Sequence, residues 1–432
     1  MAQLSDDCFA FDGPLMPLDQ ALAQLSEKVG PVVGQEPVPL TDALGRILAF
    51  DARATQNVPP YRNSAVDGYA VFFEDLSPDK PTSMPVIGRV AAGHPLDGEA
   101  PRGKAVRIFT GAPIPSGGGP GHDGGPDTVM MQEDCVELDG LVTLQPGIKR
   151  GANLRPAGED VAEGDVILRA GRRLTPQDIG LLATQGLIQV HCFTCLRVAL
   201  LSTGDEVIET GQPLPHGKLY DSNRLMLRAL LTAMGAQVID LGIRKDDRAG
   251  ITAALEEAVA AADAVVTSGG MSMGEEDHIK AAIEARGRVD FWRLAIKPGR
   301  PVGLGQMKAA DGRSVPVVGL PGNPVAAFTT FSLVGRPLLQ GLAGEAVRPP
   351  HRMRAVAGFD YKKKRDRREF VRARISGYDE AGMPVVEKFG RSGAAILTSL
   401  VGADGFVELG EDVERLEKGQ SVAYLPFSEL MG

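Results

Sequence analysis

Apolar residues fall into three rhythms along this chain, and the changes of rhythm divide it. Near the start, LDQALAQLSEKV (residues 18–29) spaces its apolar positions along one face of a helix, which Gly30 and Pro31 end. LTDALGRILA (residues 40–49) predicts a second short helix with Thr41 as its N-cap. Residues 51–150 lose the helical spacing and are rich in Gly, Pro and Val, which predicts a small β-rich domain. Residues 151–190 return to short strands and one helix, TPQDIGLLATQG, with Thr175 as N-cap and Pro176 at the first helical position. Segments 14–50 and 151–190 are expected to form one discontinuous mixed α/β domain, with 51–150 as an insertion.

From 191 to 347 apolar runs alternate with helical patterns. CLRVALLST, AQVIDLGI, DAVVTSGG, VDFWRLAI and SVPVVGLPG read as strands. SNRLMLRALLTAMG, DRAGITAALEEAVAAA, DHIKAAIEARG and NPVAAFTTFSLVG read as helices. That alternation predicts a doubly wound parallel sheet with right-handed connections. The helices stop after Pro349 and Pro350, and residues 348–432 predict a small β-barrel or sandwich. The fold class is therefore α/β multidomain.

Composition narrows the function. The 432 residues carry a formal charge of -9, which argues against general nucleic-acid binding. A local cluster of Lys, Arg and backbone N–H groups still suits a small anion. No apolar run reaches the length of a membrane span, and MAQLSDDCFAFDG lacks the basic and apolar regions of a secretory signal. Cys8, Cys135, Cys192 and Cys195 are too few for a disulfide framework. Cys192 and Cys195 form a CxxC in what reads as an extended strand, HCFTCLRVALL, and are taken as incidental thiols of a reducing, cytoplasmic compartment. The basic run Lys362–Arg368 reads as a solvated hairpin tip. The six His residues are scattered and form no recognisable catalytic or metal motif.

Candidate chemistry gathers where an open parallel sheet binds ligands, beyond the carboxyl ends of its strands. Five loops fall there: Ser202–Glu206, Arg244–Asp247, Ser268–Asp277, Lys297–Pro301 and Leu320–Pro324. In the third, Ser268, Gly269, Gly270, Ser272 and Gly274 are suited to cradle a phosphate with backbone N–H groups and a hydroxyl. Glu206, Asp246 and Asp277 are hard oxygen ligands suited to Mg2+. Each has a plainer reading: Asp246 or Asp247, and Asp277, as helix caps, and Glu206 as a turn residue. Lys297, with Pro298 and Gly299 fixing its direction and Arg300 beside it, complements an oxyanion. Pro321, Gly322 and Asn323 lead into a helix and are placed to shape the pocket wall.

These residues, with NSAVDGYA (Asn63–Ala70), RIFTGAPIP (Arg107–Pro115), VMMQE (Val129–Glu133), NLRPAGED (Asn153–Asp160) and YDSNR (Tyr220–Arg224), resemble the molybdopterin molybdenumtransferase family, which includes the enzyme domain of gephyrin. The resemblance runs through nearly the whole chain. It implies four domains and an elongated homodimer whose active site lies between the α/β domain of one subunit and the β insertion of the other. It implies that adenylylated molybdopterin is hydrolysed with Mg2+, that AMP leaves, and that molybdate is captured by the dithiolene. Asp67 and Thr110 would then face the pocket from the partner subunit. Glu206, Asp246 and Asp277 would handle metal and phosphate, Lys297 and Ser272 would bind anionic groups, and Arg155 and Asp160 match positions important to function or dimer geometry. The resemblance extends to an adenylyltransferase as delivering partner. Alternative readings are a gephyrin-like scaffold or a molybdopterin adenylyltransferase. The chain departs from the family at Arg293, where Lys is usual, and in the glycine-rich tract Ser116–Pro126. Its Gly390–Leu400 segment matches loosely, so no role is transferred to Ser392 or Ser399.

Overall fold

The computed structural model describes residue 9 and residues 15–117, 124–269, 278–299, 301–391 and 393–431. The chain forms two compact units, one of Met1–Phe50, Ala170–Leu174 and Gln189–Gly432, the other of Asp51–Arg169 and Thr175–Ile188.

The larger unit begins with α1 (Leu18–Lys28), which buries Leu18, Ala21 and Leu25 on the face set by their spacing. Strand β1 (Gln35–Pro39) follows. The expected second helix does not form. Leu40–Asp42 makes a single 3-10 turn, Thr41 is not its cap, and Gly45 takes a φ of 74° that ends it. The next residues bond across the chain instead: Gly45 N–H donates to Leu174 O at 2.9 Å and Leu48 N–H to Arg172 O at 2.9 Å. Tertiary pairing has overridden a weak local helix pattern.

The smaller unit is built on a six-stranded sheet of β2 (Gly68–Val71), β3 (Thr82–Val90), β4 (Ala105–Ile108), β5 (Thr128–Met131), β6 (Cys135–Leu138) and β7 (Leu141–Leu144), ordered β5-β2-β4-β3-β7-β6. Successive residues of β2 bury on opposite faces, Tyr69 and Val71 on one and Ala70 on the other, as a period of two demands. Helix α2 (Pro176–Thr184) starts on a capping box, Thr175 with Asp178, as its sequence predicts. Gln185 after it accepts from the amides of Thr55 and Gln56.

Back in the larger unit, β8 (Gln189–Phe193) pairs antiparallel with β1. The sequence around the CxxC is two strands, since the chain breaks before β9 (Arg197–Thr203). Cys192 is buried, with its thiol pushed up by that burial, and Cys195 is exposed. The α/β domain follows: α3 (Ser222–Ala233), β10 (Gln237–Arg244), α4 (Arg248–Ala261), β11 (Ala264–Ser268), α5 (His278–Glu284), β12 (Gly287–Arg293), β13 (Pro301–Lys308), β14 (Ser314–Leu320) and α6 (Pro324–Thr330). Its sheet runs β10-β9-β11-β14-β13-β12. Val198, Leu200, Val266 and Val318 pack on one face, and Ala199, Leu201, Val265 and Val317 meet Ile251, Leu255 and Ile279 on the other. This is the doubly wound arrangement. One strand was unforeseen. PVGLGQMK forms β13, antiparallel to both neighbours, and its Pro301, Gly303 and Gly305 hid the strand pattern. Helix α6 passes through one π-helical turn, residues 331–335, into α7 (Arg336–Leu342).

The last domain contains β15 (Met353–Ala357), β16 (Arg368–Tyr378), β17 (Pro384–Lys388), β18 (Gly405–Leu409) and β19 (Ser421–Pro426). They are ordered β16-β17-β15-β19-β18, and β18 pairs back to β16, so five strands close a barrel around Ala355, Val371, Val386, Val407 and Tyr424. The basic run before β16 has an exposed tip, with Lys362, Lys364, Arg365 and Asp366 exposed, but Lys363, Arg367 and Arg368 are half-buried. The Arg368 guanidinium lies among Asp19, Glu408 and Glu411, and the Lys363 ammonium donates to the carbonyls of Arg367 (2.8 Å) and Glu411 (3.3 Å). Among the described residues no helix is long and apolar enough to cross a membrane.

Candidate active site

The strand ends of the α/β domain open into a cavity of about 600 Å³, lined among others by Ser202, Thr203, Glu206, Asn223, Ser268, Gly269, Gly322 and Asn323. Sheet geometry places them there. Ser202 and Thr203 end β9, Ser268 ends β11, and Gly322 and Asn323 join β14 to α6. Thus Glu206, Ser268, Gly269, Gly322 and Asn323, each anticipated from sequence, line one cleft. Gly269 has a φ of 84°, and a Cβ there would lie 2.5 Å from the Thr203 carbonyl oxygen, so only glycine fits this crossing.

Asn223 was not anticipated, although it lies in the YDSNR motif. Its amide donates to Ser268 Oγ at 2.9 Å and to the Gly322 carbonyl at 2.7 Å, tying two strand-end loops together. Its Oδ1, Ser202 Oγ and Thr203 Oγ1 are buried with no hydrogen-bond partner among the described residues. Buried polar atoms are normally satisfied, and these three belong to residues that line one cavity. The sequence signal was present in retrospect: an Asp N-cap followed by a polar residue on a helix face that must be buried.

A buried ion network supports this wall. Asp221 caps α3 by accepting from Arg224 N at 3.0 Å. The Arg224 guanidinium reaches both oxygens of Asp240 (2.6 and 2.7 Å), Asp221 (3.3 Å) and Glu209. Burial works against that charge, but Asp240 foremost, with Glu209 and Asp221, holds its pKa above the ordinary arginine value.

Lys297 and Pro298 line a second cavity of about 390 Å³, against Tyr361, Arg367, Glu369, Arg372 and Lys388 of the barrel domain. The pair Ile296–Lys297 adds a short parallel strand beside Arg368 and Glu369 at the start of β16. The Lys297 ammonium then sits 3.2 Å from each oxygen of the buried Glu369, which also accepts from the Tyr361 hydroxyl at 3.0 Å. Gly299 follows with a φ of 98°, and a Cβ there would fall 2.3 Å from Thr330 Oγ1. Burial pushes the Arg372 guanidinium below its usual range; it donates to Ser399 Oγ at 3.0 Å and to the carbonyls of Arg391 and Gly393. The barrel loop serves both cavities, with Gly393 and Ala394 lining this one and Ala395 and Leu397 the other. Replacing Glu369 with Gln is expected to lower turnover by about tenfold while leaving Lys297 in place, because the ammonium loses its charged anchor. A kcat within twofold of wild type would show that the strand pairing alone directs Lys297.

Asp247 proves to be the cap of α4, accepting from Gly250 N at 2.7 Å, and Asp246 is half-buried at the end of β10. Gly270, Ser272, Gly274, Asp277 and Arg300 lie outside the described residues, as does the middle of the Ser116–Pro126 tract. Among the described residues no group of three His, Cys, Asp or Glu side chains forms a metal cluster. Pro321 lies at the β14–α6 joint and lines neither cavity described above.

In the smaller unit, Asp67 Oδ1 accepts from the Thr110 amide and hydroxyl, both at 2.8 Å. Those two bonds, and the nearby Arg107 charge, hold the Asp67 carboxyl below the usual carboxylate range.

Three family models cover the chain in order. Residues 16–186 match the MoeA N-terminal region (domain I and II), 199–341 the probable molybdopterin binding domain, and 354–427 the MoeA C-terminal region (domain IV). Inserted β unit, doubly wound sheet and closed barrel therefore define a multidomain protein of the molybdenum-cofactor biosynthesis class. A molybdopterin molybdenumtransferase of Haemophilus influenzae is 39% identical over 97% of this chain and 100% of its own length. Molybdopterin molybdenumtransferase 2 of Mycobacterium tuberculosis is 35% identical over 88% and 92%. The crystal structure of the molybdopterin biosynthesis MoeA protein of Pyrococcus horikoshii superposes with a TM-score of 0.75 at 32% identity, covering 96% of this chain and 99% of that one. The chain belongs to the molybdopterin molybdenumtransferase (MoeA) family.

Proposed function

We propose that this protein completes molybdenum cofactor, by binding adenylylated molybdopterin, releasing AMP with the help of Mg2+, and delivering molybdate to the dithiolene. The observation that carries the reading is the strand-end cavity, where Asn223 Oδ1, Ser202 Oγ and Thr203 Oγ1 are buried without partners among the described residues. A phosphate-bearing heterocycle offers donors and acceptors to match them.

Carboxylates suit a hard cation, and this reading gives that role to Glu206 at the cavity wall, Asp246 at the next strand end and Asp277. Bound there, Mg2+ would neutralise phosphate charge and polarise the phosphoanhydride. The chain's own groups do the rest. Asn223 ties the loops that carry Ser268 and Gly322 together at the cavity, and Lys297 would offer a directed positive charge to an oxyanion. Asp67 and Thr110 act as a prealigned pair. In the proposed homodimer they serve the site of the partner subunit. The reading also carries a cytoplasmic setting and an adenylyltransferase that delivers the substrate.

The test is AMP release from adenylylated molybdopterin, measured with and without Mg2+ and molybdate. Metal-dependent release coupled to molybdenum uptake is the expected outcome. Bound pterin without release would leave a binding or scaffold protein, and adenylylation of free pterin with ATP would make it an adenylyltransferase.

A further inference from the structure

Arg107 has an unusual setting in the smaller unit. It lies on β4 directly opposite Tyr69 of β2. Its guanidinium sits 4.9 Å from the Tyr69 ring centroid and 4.9 Å from that of Phe109, while Arg89 lies 4.5 Å over the same Phe109 ring. The side chain is half-buried, yet no carboxylate pairs with it among the described residues. Aromatic faces hold the cation in place without neutralising it.

Its hydrogen bonds converge on one residue from two sides. Arg107 Nη1 donates to the carbonyl of Gly68, the residue after Asp67, at 3.3 Å. Nη2 donates to Gln132 Oε1 at 2.6 Å, and the Gln132 backbone N–H in turn donates to the Asp67 carbonyl at 3.0 Å. Three residues beyond Arg107, Thr110 grips the Asp67 carboxylate itself. One short segment, Arg107–Thr110, therefore fastens both the backbone and the side chain at the start of β2.

We propose that Arg107 is a positioning residue that holds the Asp67–Thr110 pair in its working geometry. A plain surface arginine would be solvated and free to turn. This one is clamped by two rings and two oxygen acceptors, Gly68 O and Gln132 Oε1, on either side of the chain at Asp67. The proposal rests on Asp67 having a part in turnover, as the proposed function assigns.

The experiment uses the full-length protein and three variants: Arg107→Gln, Arg107→Lys and Asp67→Ala, with the Arg107→Gln/Asp67→Ala double variant. Hydrogen exchange at the Thr110 amide is expected to quicken about tenfold in Arg107→Gln while that of Val106 within β4 stays unchanged, which marks local loosening and not global unfolding. AMP release is expected to lose about tenfold in kcat with KM held, and Arg107→Lys is expected to recover part of it. In the Asp67→Ala background Arg107→Gln is expected to change kcat by less than about twofold, since coupled residues are not additive. An unmoved Thr110 amide would overturn the proposal, as would an undiminished effect of Arg107→Gln in the Asp67→Ala background. Should Thr110 loosen while Asp67→Ala turns over like wild type, the positioning stands and the role given to Asp67 falls.

Discussion

Replacing Arg224 with Met lowers the unfolding free energy of the α/β domain by about 3–5 kcal/mol, the usual cost of removing one partner from a buried charge network. The Arg224 side chain is 8% exposed and Asp221 3%, so water cannot replace the bond between them, whereas Glu209 at 47% can be rehydrated. Asp240 loses its two-pronged contact at 2.6 and 2.7 Å at the same time. Far-UV circular dichroism during urea unfolding reads the midpoint. Substituting Asn for Asp221 and Asp240 alongside Arg224→Met should recover part of the loss, because the stranded charges are then gone. An unchanged midpoint for the single variant would mean that the network is hydrated and contributes little.

The second large effect falls on chemistry. Lys297→Met is expected to lower the rate of AMP release or molybdate capture by about 10²–10³-fold, the range seen when one preorganised charge-stabilising group is removed. Lys297→Arg keeps the charge but not the compact ammonium that fits between the two Glu369 oxygens, and should recover only part. Single-turnover measurement separates this from slower substrate binding. If both steps run at wild-type rate in Lys297→Met, the ammonium serves only to join the loop to the barrel.

Much of this arrangement was legible in the chain, and the exceptions have identifiable causes. The doubly wound sheet announced itself because CLRVALLST, DAVVTSGG and SVPVVGLPG are apolar on both faces, as central strands between helix layers must be. Strand β13 stayed hidden because its glycines pack against another strand and carry no side-chain pattern. The helix expected at 40–49 lost to pairing with residues far along the chain, which local spacing does not encode. At the site, glycine loops and charged residues were visible by type. Asn223 and Glu369 were not: the first resembles any polar residue of an amphipathic helix, and the second any acidic residue in a barrel strand. Their roles arise from what the fold brings against them, Ser268 and Gly322 in one case and Lys297 in the other.

The pairing of Lys297 with Glu369 also sets an order of events during synthesis. The two residues are 72 positions apart, and the later one lies in a strand of the closed barrel. Domains fold largely as they emerge, N-terminal first, at about 5–20 residues per second. The sheet can therefore form on the ribosome while its cationic loop still lacks an anchor. Only when the final strands have closed does that lysine gain a fixed direction, so the terminal domain supplies the last contact of a loop encoded well upstream. A chain released early would carry the cleft intact and its charge undirected.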